Sequence, residues 1–294
     1  LIRRIKSLGM QIIVYSRDEG KQALYFGRDK DIIRVVGDVR DLDKLSTTFR
    51  IHKPDYVIHA AALKRVDDME FHPDECVKTN VIGSQNVATA ALKTDVTKCI
   101  LISTDKARQP VNVYGSSKFI AERIFTNYDY HSTKTIFTSI RYGNVIASRG
   151  SFIPLWLEMI KNEETLNVTS KKMTRFLFTL DDAVDAVLGA LENAHGGEVF
   201  VPQINSYTLP TCIKVLEQIT NKKAITTVTG LRPGEKLHED MISEIEFQRT
   251  EEFDDYYLIG YDKTNESYNH KPFNSQYHVT NDVEKFLKKN NITI

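Results

Sequence analysis

The chain has 294 residues, 41% of them hydrophobic and 27% charged, which suits a soluble globular protein with one large core or two modest ones and excludes disorder. Lys plus Arg and Asp plus Glu both number 39, so no net field gathers nucleic acid or an anionic membrane surface; a small-molecule partner is expected. No apolar run approaches the roughly 18 residues of a membrane span, and the start at Leu1 lacks a secretion-signal layout, so a cytoplasmic location is expected.

In chain order, β-rich runs at Gln11 to Ser16, Ile32 to Gly37, Tyr56 to His59, Lys98 to Ser103 and Thr135 to Tyr142 read as strands. Helical patterns at Leu42 to Arg50, Pro73 to Leu92 and Tyr114 to Asp129 lie between them. This alternation predicts an α/β fold, a doubly wound parallel sheet of Rossmann type over residues 1–150. Helices near Phe152 to Asn162, Leu180 to Ala194 and Leu209 to Thr220 follow, and residues 151–294 read as a smaller substrate lobe, with 180–202 returning to the first domain. The segment from Glu251 to Tyr277 has little periodicity and reads as either a covering loop or a partly mobile stretch. The three cysteines, Cys76, Cys99 and Cys212, form no CxxC or Cys/His pattern, so they are expected to be reduced and buried, with no metal.

Ligands of a doubly wound sheet sit beyond the carboxyl ends of its strands. Ser16-Arg17-Asp18, Gly37 to Arg40, His59 to Ala62, Ser103 to Lys106 and Arg141 to Asn144 all fall at such ends. After the first of these strands a carboxylate alone favours NAD, whereas an arginine can pair the 2′-phosphate of NADP. Ser16, Arg17 and Asp18 with Lys21 offer both signs, which favours NADP and leaves NAD open.

Tyr114 and Lys118 are four apart at the start of a helix and share a face. An ammonium near a phenol lowers its pKa and lets it accept a proton from a sugar hydroxyl as hydride departs. The pattern alone is weak, since a surface helix pair has the same spacing. It gains weight from Ser103 and Thr104, whose hydroxyls end the preceding strand and are expected to reach the same substrate oxygen.

The run Thr104-Asp105-Lys106-Ala107-Arg108-Gln109-Pro110-Val111-Asn112, followed by Val113 to Lys118, closely resembles the active-site segment of bacterial UDP-N-acetylglucosamine 4,6-dehydratases, extended short-chain dehydrogenases/reductases, and particularly the inverting enzymes of pseudaminic acid synthesis. YSRDE at Tyr15 to Glu19, GDVRD at Gly37 to Asp41, HAAALK at His59 to Lys64 and KTN at Lys78 to Asn80 extend the resemblance, as do RYGNV at Arg141 to Val145, SRGS at Ser148 to Ser151, MTRF at Met173 to Phe176, HGGEVFVP at His195 to Pro202 and RPGEKLHE at Arg232 to Glu239.

The resemblance implies transient oxidation at C4, loss of water across C5 and C6, and hydride return to C6. It makes Lys106 the base for the C5 proton, Asp105 the acid for the C6 hydroxyl, and Thr104 an orienting hydrogen bonder, beside Tyr114 and Lys118. A lysine base needs a depressed pKa, and Lys118 and Lys64 are the expected neighbouring cations. The resemblance also places Asp38 and Val39 beside adenine, lets the cofactor backbone approach Ala60, Ala61 and Ala62, and puts Asn80 and Val145 on the cofactor side. Tyr142, Asn144 and Lys64 are implied near the sugar, and Arg175, Arg232 and Glu235 around the UDP moiety. Tyr114 points to inversion at C5, because retaining relatives resemble this segment with methionine there. The family's glycine-rich phosphate loop and first strand are expected to precede Leu1, and dimers or hexamers of the chain are expected. The same fold and Tyr/Lys pair also serve UDP-sugar 4-epimerases and UDP-glucose dehydratases, against which Lys106 argues; a non-catalytic nucleotide-binding module is the remaining alternative.

Overall fold

A computed structural model of the chain describes residues 1–146, 151–260 and 273–280. The first half runs α1 (Ile2–Ser7), β1 (Ile12–Ser16), α2 (Glu19–Phe26), β2 (Ile32–Val36), α3 (Leu42–His52), β3 (Tyr56–His59), α4 (Val66–Phe71), α5 (Pro73–Cys76), α6 (Gly83–Lys93), β4 (Lys98–Ile102), α7 (Val113–His131) and β5 (Ile136–Ile140). Side-chain caps fix several starts: the Asp18 carboxylate accepts the Lys21 N–H at the head of α2, and Asp41 accepts the Lys44 N–H at the head of α3. A π-helical segment, Val77–Ile82, joins α5 to α6, so the helix expected over Pro73 to Leu92 is one run with a widened turn.

The second half runs β6 (Asn144–Val145), α8 (Phe152–Lys161), β7 (Thr165–Val168), β8 (Thr174–Phe178), α9 (Leu180–Asn193), β9 (Val199–Pro202), β10 (Ser206–Thr208), α10 (Leu209–Thr220), β11 (Ile225–Val228), β12 (Asp240–Ile242), α11 (Glu244–Phe247), β13 (Thr250–Glu252), β14 (Tyr256–Ile259) and β15 (Phe273–Asn274). The segment expected to be a covering loop from Glu251 thus contributes strands, because Tyr257, Leu258 and Ile259 carry enough apolar surface to be buried.

The chain divides into two compact units. One holds 1–103, 113–140 and 187–200; the other holds 104–112, 141–186 and the described residues from 201 on. In the first unit β1 and β2 pair in parallel, and β3, β4, β5 and β9 form a parallel run in that neighbour order, with Ile100 facing Ile58 on one side and Thr138 on the other. Strand β4 reads Lys98-Cys-Ile-Leu-Ile and buries its apolar residues on both faces, the signature of a central parallel strand. Val39, Leu45, Phe49, Val87, Ala88, Ala91, Cys99, Leu101, Phe125 and Phe137 make the core on one side of it. Burying a side chain such as Phe125 contributes about 2–3 kcal/mol.

The second unit has its own core of Trp156, Ile160, Leu166, Val168, Leu177, Leu209, Val215 and Leu216. Here β8 lies between β6, parallel to it, and β10, antiparallel. Gly143 is required just before β6: a Cβ there would meet Phe176 Cβ at 2.5 Å and its carbonyl oxygen at 2.7 Å. Arg141, fully buried, donates to the Met241 carbonyl at 2.6 Å and pairs with both oxygens of Glu246 at 3.2 Å. Breaking such a buried pair from one side costs about 3–5 kcal/mol. Among the described residues no helix is long and apolar enough to cross a membrane.

Candidate active site

In the first unit the strand ends carry the residues expected around a dinucleotide. After β1, Ser16 and Asp18 are half-buried and Arg17 and Lys21 exposed; Asp18 caps α2 and is also paired by the Lys21 ammonium. After β2, Asp38 accepts from Arg40 at 2.7 Å and lies 3.5 Å from Arg17, and these guanidiniums lower its carboxyl against the opposing effect of its partial burial. Arg40, in turn paired with Glu75 at 2.9 Å, is a cation that sequence reasoning did not single out. Val39, expected beside adenine, has its side chain in the core, 7% exposed. Ala60 and Ala61 are exposed and Ala62 half-buried beyond β3, a stretch with no side chain past Cβ to obstruct a ligand.

Asn80, expected on the cofactor side, is saturated by the protein itself. Its amide accepts the Leu63 N–H at 2.8 Å and donates to the Leu63 carbonyl at 2.9 Å and the Ser117 hydroxyl at 3.0 Å. The π turn aims it there, tying the HAAALK segment to α7. Lys64 of that segment is exposed.

Helix α7 turns Gly115, Ser117, Lys118, Ala121, Glu122 and Phe125 inward, with Tyr114 half-buried one turn before Lys118. Burial pushes the Lys118 ammonium, 3% exposed, down to about 8, against the opposing pull of Glu122. Glu122 is itself fully buried and accepts from the Ser103 hydroxyl at 2.5 Å. Ser103, expected to reach a substrate oxygen, is therefore committed to holding Glu122. The signal for Glu122 was its place four residues beyond Lys118, on the face already occupied by the Tyr114 and Lys118 pair. His59 is buried, stacked on Phe125, with Nε2 3.0 Å from Ser84 Oγ. The Ser84 hydroxyl donates to the Asn80 carbonyl at 2.6 Å, so the imidazole supplies the other hydrogen and is neutral, and burial pushes its pKa down to about 3.

In the second unit Thr104 caps a short 3-10 turn, Asp105–Ala107, which begins where β4 ends. The Thr104 hydroxyl donates to Asp105 Oδ1 at 2.9 Å, and Lys106 Nζ lies 3.0 Å from the same oxygen. Nζ is also 3.4 Å from Glu239 Oε1. Burial would lower the Lys106 pKa, but the Asp105 and Glu239 carboxylates outweigh it and Arg175, and the net shift is upward. The expectation of a depressed Lys106 is corrected on this point: within its own unit the Asp105 and Glu239 carboxylates face it.

Arg175, expected to neutralise a diphosphate, is buried and turned inward. It donates to the carbonyls of Thr174 at 2.8 Å, Lys236 at 2.9 Å and Leu237 at 3.2 Å, and stands 3.6 Å from Glu235. Arg232 is exposed and pairs with Glu235 at 3.1 Å. The Arg232 to Glu239 segment is pinned by Asn112, whose amide donates to the Gly234 carbonyl at 2.7 Å; Gly234 holds φ +74°. Tyr142 packs on Phe178 with ring centres 5.1 Å apart, and Val145 is half-buried. Three buried acceptors in this unit, Asn144 Oδ1, Asp105 Oδ2 and Glu239 Oε2, have no hydrogen-bond partner among the described residues. Glu239 closes a motif read in the sequence, yet no role was assigned to it. Ser148 to Gly150 of the SRGS motif lie outside the described residues.

The model of the polysaccharide biosynthesis protein family matches residues 1–260. The chain belongs to this family. A relative from Campylobacter jejuni, UDP-N-acetylglucosamine 4,6-dehydratase (inverting), is 43% identical over 85% of this chain and 75% of its own length. A UDP-glucose 4-epimerase from Rickettsia massiliae is 41% identical over 86% of this chain and 74% of its own. The solved structure of Pen from Bacillus thuringiensis superposes with a TM-score of 0.91 at 30% identity, covering 100% of this chain and 94% of that one. The chain thus has the α/β fold with a parallel sheet expected from its strand and helix order.

Proposed function

We propose that the chain is an NADP-dependent UDP-N-acetylglucosamine 4,6-dehydratase acting with inversion at C5, giving a UDP-2-acetamido-2,6-dideoxy-hexos-4-ulose. The observation that carries this reading over epimerisation is the Asp105 and Lys106 pair at 3.0 Å, one acid and one base in contact, in a chain 43% identical to a dehydratase of that name. An epimerase abstracts no C5 proton and needs neither.

The residues at the strand ends of the first unit fit a dinucleotide. Ala60 and Ala61 leave the approach open, and Arg17, paired only at 3.5 Å with Asp38, is available to a 2′-phosphate. Ser16, Asp18, Lys21, Asp38 and Val39 would line the adenosine, Asn80 would steady the wall and Val145 would meet the nicotinamide; NAD is the alternative if Asp38 retains Arg17. A bound nicotinamide supplies hydride acceptance at C4 and hydride return at C6.

The chain's own residues do the rest. Tyr114 takes the C4 hydroxyl proton, aided by Lys118, whose pKa near 8 allows it to exchange protons at neutral pH. At rest Lys106 is an ammonium and Asp105 a carboxylate. Transfer of one proton across their 3.0 Å contact makes a neutral amine and a carboxylic acid. The amine then removes the C5 proton, made acidic by the C4 carbonyl, while the acid protonates the departing C6 hydroxyl; water leaves and the pair returns to its resting charges, and as hydride returns to C6 Tyr114 gives the proton it took to C5, on the face opposite to the one Lys106 emptied. Thr104 turns its hydroxyl to the C4 oxygen. Lys64, Tyr142 and Asn144 bind the sugar, Arg232 and Glu235 the UDP moiety, and Arg175, turned inward, anchors the Arg232 to Glu239 segment through the Lys236 and Leu237 carbonyls.

In heavy water with UDP-N-acetylglucosamine and catalytic NADP, NMR is expected to find a 4-keto-6-deoxy product with deuterium at C5 and inverted configuration. Interconversion of C4 epimers without loss of water would replace the reading with epimerisation.

A further inference from the structure

Among the buried carboxylates of the second unit, Glu246 and Glu239 make opposite use of their oxygens. Glu246 is consumed by structure: Arg141 donates to both oxygens, and the Ser243 N–H reaches Oε2 at 3.2 Å. Glu239, 2% exposed, spends Oε1 on the Lys106 ammonium at 3.4 Å and leaves Oε2 without a donor among the described residues. An unsatisfied buried carboxylate oxygen destabilises the fold, and folding alone gives no reason to keep one.

The backbone of Glu239 is fixed from both directions. Its N–H donates to Ser275 Oγ and its carbonyl accepts the Ser275 N–H, each at 2.8 Å, and the next residue enters β12, which pairs with β15. The Ser275 hydroxyl is held in turn by Thr174 at 2.6 Å, beside Arg175, whose Nε is 3.9 Å from Glu239. The groups that face Lys106 and Glu239 are therefore Asp105 from the 3-10 turn, Arg175 from β8 and Lys236 from the segment before β12. Charge alternates along the row Asp105, Lys106, Glu239, Arg175, Glu235 and Arg232.

We propose that Glu239 is a positioning residue for the dehydration: the second carboxylate that holds the Lys106 side chain over Asp105 and keeps it protonated between turnovers. This rests on the reading of Lys106 as the C5 base. It adds a competitor for the Lys106 proton, so Glu239 governs how easily that proton crosses to Asp105. Burial, with Asp105 adding to it, raises the Glu239 carboxyl against the pull of Lys106, while the Asp105 and Glu239 carboxylates together raise Lys106 against its burial.

The test compares wild type, E239Q and E239D, with folding checked by circular dichroism. Loss of one anion within about 4 Å changes a pKa by about one unit or more. In E239Q the acid limb of the kcat profile is expected to move down by about one pH unit, and Lys106 to be acylated by acetic anhydride about tenfold faster at pH 9, read by mass spectrometry. E239D is expected to restore the limb towards its wild-type position. A uniform loss of rate at every pH, with limb and acylation rate unmoved, overturns the proposal. K106M separates the two readings: if it still exchanges deuterium into C5, the base assignment fails, and faster Lys106 acylation in E239Q then still upholds the contact while an unchanged rate rejects it.

Discussion

The Ser103 hydroxyl donates to Glu122 Oε1 at 2.5 Å, and neither residue exposes more than 4% of its surface. The contact ties the end of β4 to the middle of α7, one helical turn beyond Lys118. Replacing Ser103 with Ala removes a donor from a buried carboxylate, which costs about 1–3 kcal/mol. We expect S103A to unfold at lower urea concentration by that amount while its turnover stays within a few-fold of wild type, since the hydroxyl serves Glu122 and not substrate.

Lys118 has a folded pKa of about 8 against an ordinary 10.5, so folding disfavours its ammonium form. The sign follows: the penalty is full below pH 8 and fades as pH rises towards 10.5. K118M is expected to abolish dehydration and yet to be more stable at pH 7, by up to about 3 kcal/mol, with the advantage gone near pH 10.5. Denaturation curves at the two pH values check it.

His59 behaves as the acid-labile point of the first unit. Burial lowers its pKa to about 3 from 6.5, so the unfolded chain binds a proton that the folded one refuses, and stability falls as pH drops below 6.5. The loss is fully developed near pH 3 and amounts to a few kcal/mol. H59Q, which keeps an N–H for Ser84, is expected to flatten this limb of the stability profile.

Asp105 is assigned both the proton of Lys106 and the proton of the leaving hydroxyl. In D105N the amide accepts no proton, Lys106 is left with Glu239 alone, and washout of C5 hydrogen into heavy water is expected to fall by about a hundredfold or more. Retained exchange would remove Asp105 from the mechanism.

Arg17 is the exposed cation beside Asp38. R17S is expected to raise the KM for NADP by about tenfold while leaving that for NAD nearly unchanged. Equal effects on both cofactors would argue against a 2′-phosphate contact.

Much of the first unit was legible because parallel strands announce themselves twice, through β-branched runs and through the chemistry at their carboxyl ends. Strands β1 to β5 fall within the expected runs. Strands β13 and β14 were missed because β13 is polar and the one apolar run, Tyr256 to Ile259, is too short to show a period among the Glu and Asp residues before it. Within the site, the resemblance named Asp105 and Lys106 as acid and base, but the expected downward shift of Lys106 is reversed, because Asp105 and Glu239, the latter far along the chain, face it. Asn80 and Arg175 are polar in the sequence in the way that ligand-binding residues are. Only the backbone carbonyls that they hold, set by the fold, distinguish bracing from open binding.

The widened turn at Val77–Ile82 makes this stretch of helix intolerant of changes in its residue count. Removing one residue would let ordinary α-helical geometry close the turn, but everything before the deletion would rotate by about 100° relative to everything after it. The amide of Asn80 would then swing off Leu63 and Ser117, so a shortening that improves local helix geometry is expected to free the His59 to Lys64 segment from α7. Protein engineers can substitute on this helix far more safely than they can trim it.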